Sequence, residues 1–192
     1  MSSLSIALIH HPVYDKNRQV VATAVTNLDL HDIARAARTY GLFRYYVVTP
    51  VAEQQALANR IVGHWQEGWG AGYNPKRKEA LSLVRVVASL DEAVADLAGE
   101  TGTAPCLVAT GAAERADAVG FGELAARVEQ DERSHLLLFG TGWGLTEEIF
   151  GRADLVLEPI RGCGTYNHLS VRAAAAIIMD RLLGERYRGM NE

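Results

Sequence analysis

The chain has 192 residues, 48% of them hydrophobic, and a formal net charge of −4. This length fits one domain with a substantial core, and the negative charge excludes a global basic field that would attract nucleic acid. Cys106 and Cys163 lie too far apart in sequence to indicate a disulfide framework, so a reducing, cytoplasmic location is expected. The first residues lack the basic segment of a signal peptide and no apolar run is long enough to span a bilayer, so no membrane partner is expected.

Short apolar runs alternate with helical apolar stripes along the chain. Strands are predicted at residues 4–9, 45–48, 83–87, 106–109, 136–139 and 155–157. Helices are predicted from Asn27 or Asp29 to Tyr40, over 52–65, 90–97 and 121–128, over a short segment that Thr146 opens, and over 168–183. Residues 14–20 and 68–75 are predicted loops. The alternation predicts a single α/β domain over residues 1–192, with a mostly parallel central sheet flanked by helices.

Two glycine-rich loops follow the last two predicted strands. Gly140, Gly142 and Gly144 alternate in the first, and Pro159 and Gly162 open the second. Glycine lets a ligand approach the backbone closely, and open α/β sheets bind ligands at the carboxyl ends of their strands. A Rossmann site is not predicted, because the first strand ends without glycine and the Gly-x-Gly-x-Gly spacing is wrong. A P-loop is excluded because no Gly-Lys-Ser/Thr occurs. Plain tight turns are the alternative.

One predicted helix face carries His31, Arg35 and Arg38, at spacings of four and three residues. Two guanidinium groups there suit phosphate or base binding; the alternative is a solvated face with a salt bridge to Asp32. Similarly, the pair that flanks Pro159, Glu158 and Arg161, either binds ligand or pairs internally.

A further segment interleaves aromatic and basic side chains. It contains Trp65, Trp69, Tyr73, Lys76, Arg77 and Lys78. Stacking and phosphate contacts would make it an RNA-facing patch. A solvated loop with a tryptophan anchored in the core is the alternative. No metal site is predicted, because His10 and His11 lack further ligands at workable spacing.

Three segments, in the same order, resemble the SPOUT methyltransferases, trefoil-knotted enzymes that methylate RNA with S-adenosylmethionine (SAM). Residues 27–41 resemble the family's early Asn…Arg…Gly helix. Residues 138–148 are similar to its Gly-x-Glu-Gly-x-Gly-Leu loop. Residues 157–176 are similar to Ile-Pro-Met-x-Gly-x-x-x-Ser-Leu-Asn-Val-Ser-Val-Ala-Ala-Ala. The whole chain resembles a small single-domain subgroup, whose members occur alone or fused behind the tRNA (guanine-N1) methyltransferase.

The resemblance implies a fold, a cofactor and site residues. The last helix is expected to thread a loop as a C-terminal trefoil knot, and a homodimer is expected to complete the site. Arg35 takes the place of the family's catalytic arginine, and His168 is a base or a hydrogen-bonding residue at a helix start. The SAM contacts implied are Gly140, Gly142, Gly144, Leu157, Pro159, Ile160, Gly162, Leu169 and Ala174. The RNA contacts expected are Arg38, Lys76, Arg77 and Lys78.

The chain also departs from the family pattern. The first glycine loop is one residue short, and Trp143 stands where a carboxylate is expected. An ungapped match puts Tyr166, Asn167 and His168 at the usual Ser, Leu and Asn. Asp29, rather than Asn27, has the family's spacing to the catalytic arginine.

The function expected is SAM-dependent methylation of tRNA or rRNA, with no DNA partner. Two alternatives remain: an accessory domain that binds SAM or docks RNA without turnover, and a nucleotide- or flavin-binding α/β protein.

Overall fold

A computed structural model describes residues 4–164 and 166–184. The strands in these ranges are β1 (Leu4–Ile9), β2 (Val13–Tyr14), β3 (Val20–Val21), β4 (Tyr45–Val48), β5 (Val84–Val87), β6 (Cys106–Ala109), β7 (Ala118–Val119), β8 (His135–Gly140) and β9 (Leu155–Leu157). The helices are α1 (Asn27–Thr39), α2 (Ala52–Gln66), α3 (Trp69–Tyr73), α4 (Pro75–Leu81), α5 (Leu90–Thr101), α6 (Phe121–Gln130), α7 (Glu147–Arg152) and α8 (Val171–Leu183).

A seven-stranded sheet forms the centre of the molecule, in the order β5-β4-β1-β8-β6-β9-β7. All of its strand pairs are parallel. Strand β8 lies between β1 and β6, with Gly140 opposite Ile9 in the register. Because the strands are parallel, their carboxyl ends meet at one edge, and this is the edge at which both glycine loops begin.

Helices cover both faces of the sheet, as predicted. Along β1, Leu4, Ile6 and Leu8 pack with α1, α2, α4, α6 and α8, while Ala7 and Ile9 pack with α5 and α7. Successive side chains of a strand point to opposite faces, so a strand buried on both faces is apolar throughout. This explains why β1 and β8 are mostly apolar, with only Ser5 and His135 as buried polar residues.

Side-chain caps decide where two functionally important helices begin. Thr26 caps α1 by accepting a hydrogen bond from the Asp29 amide at 3.1 Å, where Asn27 or Asp29 had been predicted. Ser170 caps α8 by accepting from the Ala173 amide at 3.2 Å. The last helix therefore begins at Val171 and not at His168, because the serine hydroxyl satisfies a free amide of the first turn.

Two predicted loops contain secondary structure. Residues 14–20 belong to a hairpin in which β2 and β3 pair antiparallel. Residues 68–75 contain helix α3 and the start of α4, which Asn74 caps and Pro75 opens. Proline suits a first helical position because it lacks the amide that would be unsatisfied there.

Helix α8 packs against α1, α6 and β8. Ala175, Ile178, Met179 and Leu182 are buried, and most of its other side chains are half-buried. The threading of this helix through a loop remains a prediction. None of the helices in the described ranges is long and apolar enough to cross a membrane.

Candidate active site

A cleft of about 780 Å³ opens at the carboxyl edge of the sheet. Its walls come from the first glycine loop, the segment after β9, the loop after β6, and the chain around the β2–β3 hairpin. The predicted site residues that line it are Gly140, Gly142, Gly144, Ile160, His168, Leu169 and Ala174. Segments that are distant in sequence thus meet at one site, as the glycine loops indicated.

Three other predicted cofactor contacts lie elsewhere. Leu157 is 2% exposed and belongs to the hydrophobic core. Pro159 and Gly162 line a smaller pocket of about 250 Å³, which shares Ala112 and Asn167 with the cleft. A cofactor role for these three residues stays a prediction.

The first glycine loop is held by the chain itself. A Cβ at Gly140 would lie 2.6 Å from the Leu145 amide nitrogen. Gly142 has φ +59°, and a Cβ there would lie 3.0 Å from the Tyr14 carbonyl oxygen. Both contacts are closer than ordinary van der Waals separation, so glycine is required at these positions by the backbone packing of the loop.

The hairpin residue Tyr14 holds the glycine loop through two hydrogen bonds and the start of α7 through a third. Its amide donates to the Gly144 carbonyl at 3.0 Å, and its carbonyl accepts from the Trp143 amide at 2.9 Å. Its hydroxyl accepts from the Glu147 amide at 3.3 Å. This hairpin was not predicted from the sequence. The apolar residues on both sides of its polar turn were the available signal.

A series of partly buried hydrogen bonds between side chains also supports the glycine loop. His10 is fully buried, and its Nδ1 lies 3.1 Å from the Thr23 hydroxyl, which in turn contacts the Thr141 hydroxyl. Thr141 donates to the Ile9 carbonyl at 3.0 Å. It therefore accepts from Thr23, which leaves Thr23 to accept from the protonated Nδ1 of a neutral imidazole.

Burial lowers the pKa of His10 to about 4, although the nearby Asp29 carboxylate opposes this shift. His10 is therefore uncharged at neutral pH, and its Nε2 has no hydrogen-bond partner among the described residues. The histidine joins the end of β1 to two threonines that line the cleft. This places it beneath the site rather than in it.

Arg35, the predicted catalytic residue, is exposed on α1 and does not line the cleft of its own chain. Its guanidinium forms no ion pair among the described residues. Arg38, on the same face, donates from Nε to Glu79 at 3.0 Å. The alternative of a salt bridge to Asp32 from this face is not observed, because Arg172 of α8 pairs with Asp32 at 3.5 Å.

His168 is exposed at the cleft wall, with its ring 5.3 Å from that of Tyr166. The neighbouring Asn167 donates to the Ala112 carbonyl at 3.1 Å and so joins this segment to the loop after β6.

The predicted alternative of a Glu158–Arg161 pair is not observed. The Glu158 carboxylate accepts from the Phe121 amide at 3.0 Å, and Arg161 pairs with Glu114 at 3.2 Å.

The aromatic and basic segment forms a second surface, outside the cleft. Trp69 and Tyr73 are 74% and 71% exposed and stack with their rings 4.8 Å apart. Lys76 and Lys78 are exposed, and Arg77 lies over the Trp65 ring at 4.5 Å. Trp65 also packs against the core, so features of both sequence interpretations occur together.

The charged rim of the cleft was not predicted from the sequence. Arg18, Arg115 and Glu147 line it, although they lie far apart along the chain. No group of three metal-ligating side chains occurs within residues 4–164 and 166–184.

Fold and site together define an α/β protein with a backbone-built cleft at the carboxyl edge of a parallel sheet. The model of a family of SAM-dependent RNA methyltransferases matches residues 3–184. The chain therefore belongs to that family, and the predicted membership in a family of SAM-dependent RNA methyltransferases is confirmed.

Curated relatives agree with this assignment. The chain is 45% identical over 183 residues to a tRNA (guanine-N(1)-)-methyltransferase of Oleidesulfovibrio alaskensis, covering 95% of this chain and 42% of the relative. It is 42% identical over 177 residues to an uncharacterized protein of Aquifex aeolicus, covering 92% and 86%. The chain thus spans less than half the length of the named enzyme.

Solved structures confirm the fold class. A probable methylase of Haemophilus influenzae matches with a TM-score of 0.65 at 22% identity, covering 100% of this chain and 69% of that one. The SpoU methyltransferase AviRb of Streptomyces viridochromogenes matches with a TM-score of 0.61 at 18% identity, covering 100% and 63%. The latter has also been solved in complex with AdoMet, which is SAM.

Proposed function

We propose that this chain transfers a methyl group from SAM to a nucleoside of RNA, and that the substrate is tRNA. The cleft at the carboxyl edge of the sheet is the observation that carries the proposal, because it joins both glycine-containing segments at one ligand-sized site. The names of the two guanine-N1 methyltransferases at 45% identity support tRNA over rRNA.

The lining of the cleft fits SAM. A volume of about 780 Å³ lies within the range of small-molecule sites. Ile160, Leu169 and Ala174 supply apolar surface for an adenine, and the loop of Gly140–Gly144 supplies backbone donors and acceptors beside it. SAM supplies a methyl group already activated on a sulfonium, so the protein mainly has to align the acceptor and exclude water.

We further propose that the active unit is a homodimer in which Arg35 acts in the cleft of the partner subunit. Arg35 lies outside the cleft of its own chain and has no ion pair among the described residues, so its charge is available to a second chain. Two half-buried alanines of α8, Ala173 and Ala176, do not line the cleft and would allow close approach of another backbone, which supports such an interface.

Mixed dimers test this arrangement directly. Arg35→Ala and Gly142→Val are each expected to be inactive alone, the first for want of the guanidinium and the second for want of the cofactor loop. A mixed dimer contains one intact cleft that faces an intact arginine, so co-expression should restore part of the transfer. If Arg35 acted in its own cleft, neither half of the mixed dimer would be complete, and no activity would return.

The cofactor and substrate are tested with the wild-type chain. Calorimetric titration should detect binding of SAM and of its demethylated product. The protein should then transfer labelled methyl groups to tRNA from a strain that lacks the gene, and mass spectrometry of the nucleosides should identify the product. Absence of affinity for both SAM and its product would contradict the proposal.

An accessory role without turnover is the second candidate. Its motivation is that the guanine-N1 methyltransferases are more than twice as long as this match, so their named activity belongs to a longer protein. Wild-type protein that binds SAM but transfers no methyl group to tRNA from the deletion strain would establish this candidate.

A further inference from the structure

Trp143 is exposed on the first glycine loop, whose backbone is held by hydrogen bonds to the hairpin. Its side chain is 66% exposed at the wall of the cleft. Its amide is bonded to the Tyr14 carbonyl, and the glycines on both sides have positive φ, +59° and +100°. An indole normally buries its large apolar surface. The loop therefore holds this ring outside the core, at the wall of the cleft.

Arg18 also lines the cleft, at the tip of the hairpin. It has φ +63°, the one positive φ of a non-glycine residue in the described ranges. Asp15 stabilises the turn by accepting from the amides of Asn17 and Gln19 at 2.8 and 2.9 Å. A strained conformation that its surroundings maintain is a reason to look for function.

The guanidinium of Arg18 keeps its donors available. It stacks over the Tyr14 ring at 4.1 Å and approaches Glu147 only to 4.0 Å. Its side chain donates no hydrogen bond within residues 4–164 and 166–184. The Tyr14 carbonyl also accepts from the Trp143 amide, so one residue supports both the Arg18 side chain and the Trp143 backbone.

Three charged side chains of the rim, Arg18, Arg115 and Glu147, lie close together. Arg115 forms two parallel hydrogen bonds to Glu147, at 3.1 and 2.6 Å, while its planar group lies over the Phe150 ring at 3.5 Å. These hydrogen bonds hold the pKa of Glu147 below its usual value. Since Arg115 bonds to both oxygens of this carboxylate, Glu147 leaves the hydrogen-bond donors of Arg18 available to a ligand.

We propose that Trp143 and Arg18 form an acceptor-nucleotide site at the mouth of the cleft, in which the indole stacks on an RNA base and the guanidinium binds a neighbouring phosphate. Proteins recognise single-stranded RNA by stacking unpaired bases on aromatic rings, and guanidinium groups match the geometry of phosphate oxygens. This proposal rests on the RNA methyltransferase function proposed above.

The stacking half of the proposal is tested at Trp143. The probe is labelled tRNA from the deletion strain, and SAM affinity is measured in parallel by calorimetry. Trp143→Ala should weaken RNA binding about tenfold, since one stacked base contributes roughly 1–3 kcal/mol. Trp143→Phe retains a stacking ring and should recover most of the loss. SAM affinity should change less than about twofold in both variants.

The phosphate half is tested at Arg18. Arg18→Ala should reduce the slope of log affinity against log salt by about 0.7–0.9, the value of one phosphate contact. Arg127→Ala is the matched control, because Arg127 is half exposed, pairs with Glu123 within α6 and lies outside the cleft. Its salt slope should equal that of the wild type.

Three results overturn the proposal. RNA affinity and salt slope unchanged in both rim variants would exclude a nucleotide site. An unchanged slope with weaker SAM binding in Arg18→Ala would assign the guanidinium to the carboxylate of the cofactor instead. Wild-type protein without RNA affinity would contradict the proposed function as well. If the wild type transfers methyl groups to tRNA but the rim variants bind RNA as the wild type does, only the rim site is contradicted.

Discussion

The cleft and the face formed by α1–α4 both contain residues that the sequence singled out, but the chain builds them differently. In the cleft, backbone groups of the hairpin and the glycine loop contact each other across more than 100 residues. On the α1–α4 face, the contacts are made by side chains that are closer in sequence, such as Arg38 with Glu79 and Arg77 with Trp65. Adding a side chain at one glycine should therefore disrupt ligand binding in the cleft. Removing one side chain from the α1–α4 face should instead reduce RNA affinity by only a part.

Arg35→Ala is expected to have the largest effect. It is an exception to this comparison, because Arg35 lies on the α1–α4 face but is assigned to catalysis. Loss of one charged donor at a reacting centre typically lowers kcat by roughly 10²–10³. We expect that loss in single-turnover transfer assays, with SAM affinity unchanged by calorimetry. Full activity in the variant would contradict the catalytic role, and Arg35 would then be an exposed side chain like the others on the α1–α4 face.

Gly142→Val tests the cleft itself. A valine would require positive φ and would place its Cβ against the Tyr14 carbonyl, so the loop must move. SAM affinity should fall about 100-fold, an effect on the order of 3 kcal/mol. Gly99→Ala is the control, because a Cβ there meets nothing within 4 Å and the position is helical. Undiminished SAM affinity in Gly142→Val would contradict the loop assignment.

The buried histidine under the cleft predicts a dependence of stability on pH. His10 has an ordinary pKa of 6.5 when unfolded and about 4 when folded. Between these values only the unfolded state binds the proton, so the free energy of unfolding falls as the pH falls. The contribution lost between pH 8 and pH 5 is about 2 kcal/mol, or roughly 30-fold.

Chemical denaturation across this pH range provides the measurement. His10→Gln should flatten the curve relative to the wild type. His31, on the α1–α4 face, also has a lowered pKa through burial and the charge of Arg77, but it is only partly buried. His31→Gln should therefore change the curve less. If both variants changed the pH dependence of the free energy of unfolding equally, the buried histidine under the cleft would not differ from the partly buried one on the α1–α4 face.

The smallest effect is expected on the α1–α4 face. Replacing both Lys76 and Lys78 with Ala removes two exposed charges that make no contact with the cleft. Affinity for tRNA should fall by less than about tenfold at moderate salt, and the salt slope should fall by about 1.4 for two phosphate contacts. SAM affinity should stay the same. An unchanged salt slope would show that this patch does not bind RNA.

Local pattern predicted much of the fold. The bounds of β1, β4, β6 and β9 agree with the apolar runs in the sequence, because side-chain periodicity and turn residues act over a few positions. Thr146 caps α7 as predicted for the same reason. The loops between 10 and 26 and between 66 and 75 were less predictable, since their short helices and hairpin depend on contacts with other elements.

The sequence by itself determined the alternating α/β elements, the two glycine-containing segments after β8 and β9, and, through three matched motifs, the methyltransferase family. Only the tertiary structure decided that β8 lies between β1 and β6, that Leu157 belongs to the core, that Arg35 lies outside its own cleft, and that Trp143 and Arg18 share a rim. The physical reason is range: hydrogen bonding and periodicity within an element are local, whereas burial, backbone approach and charge pairing depend on residues that are distant in the chain.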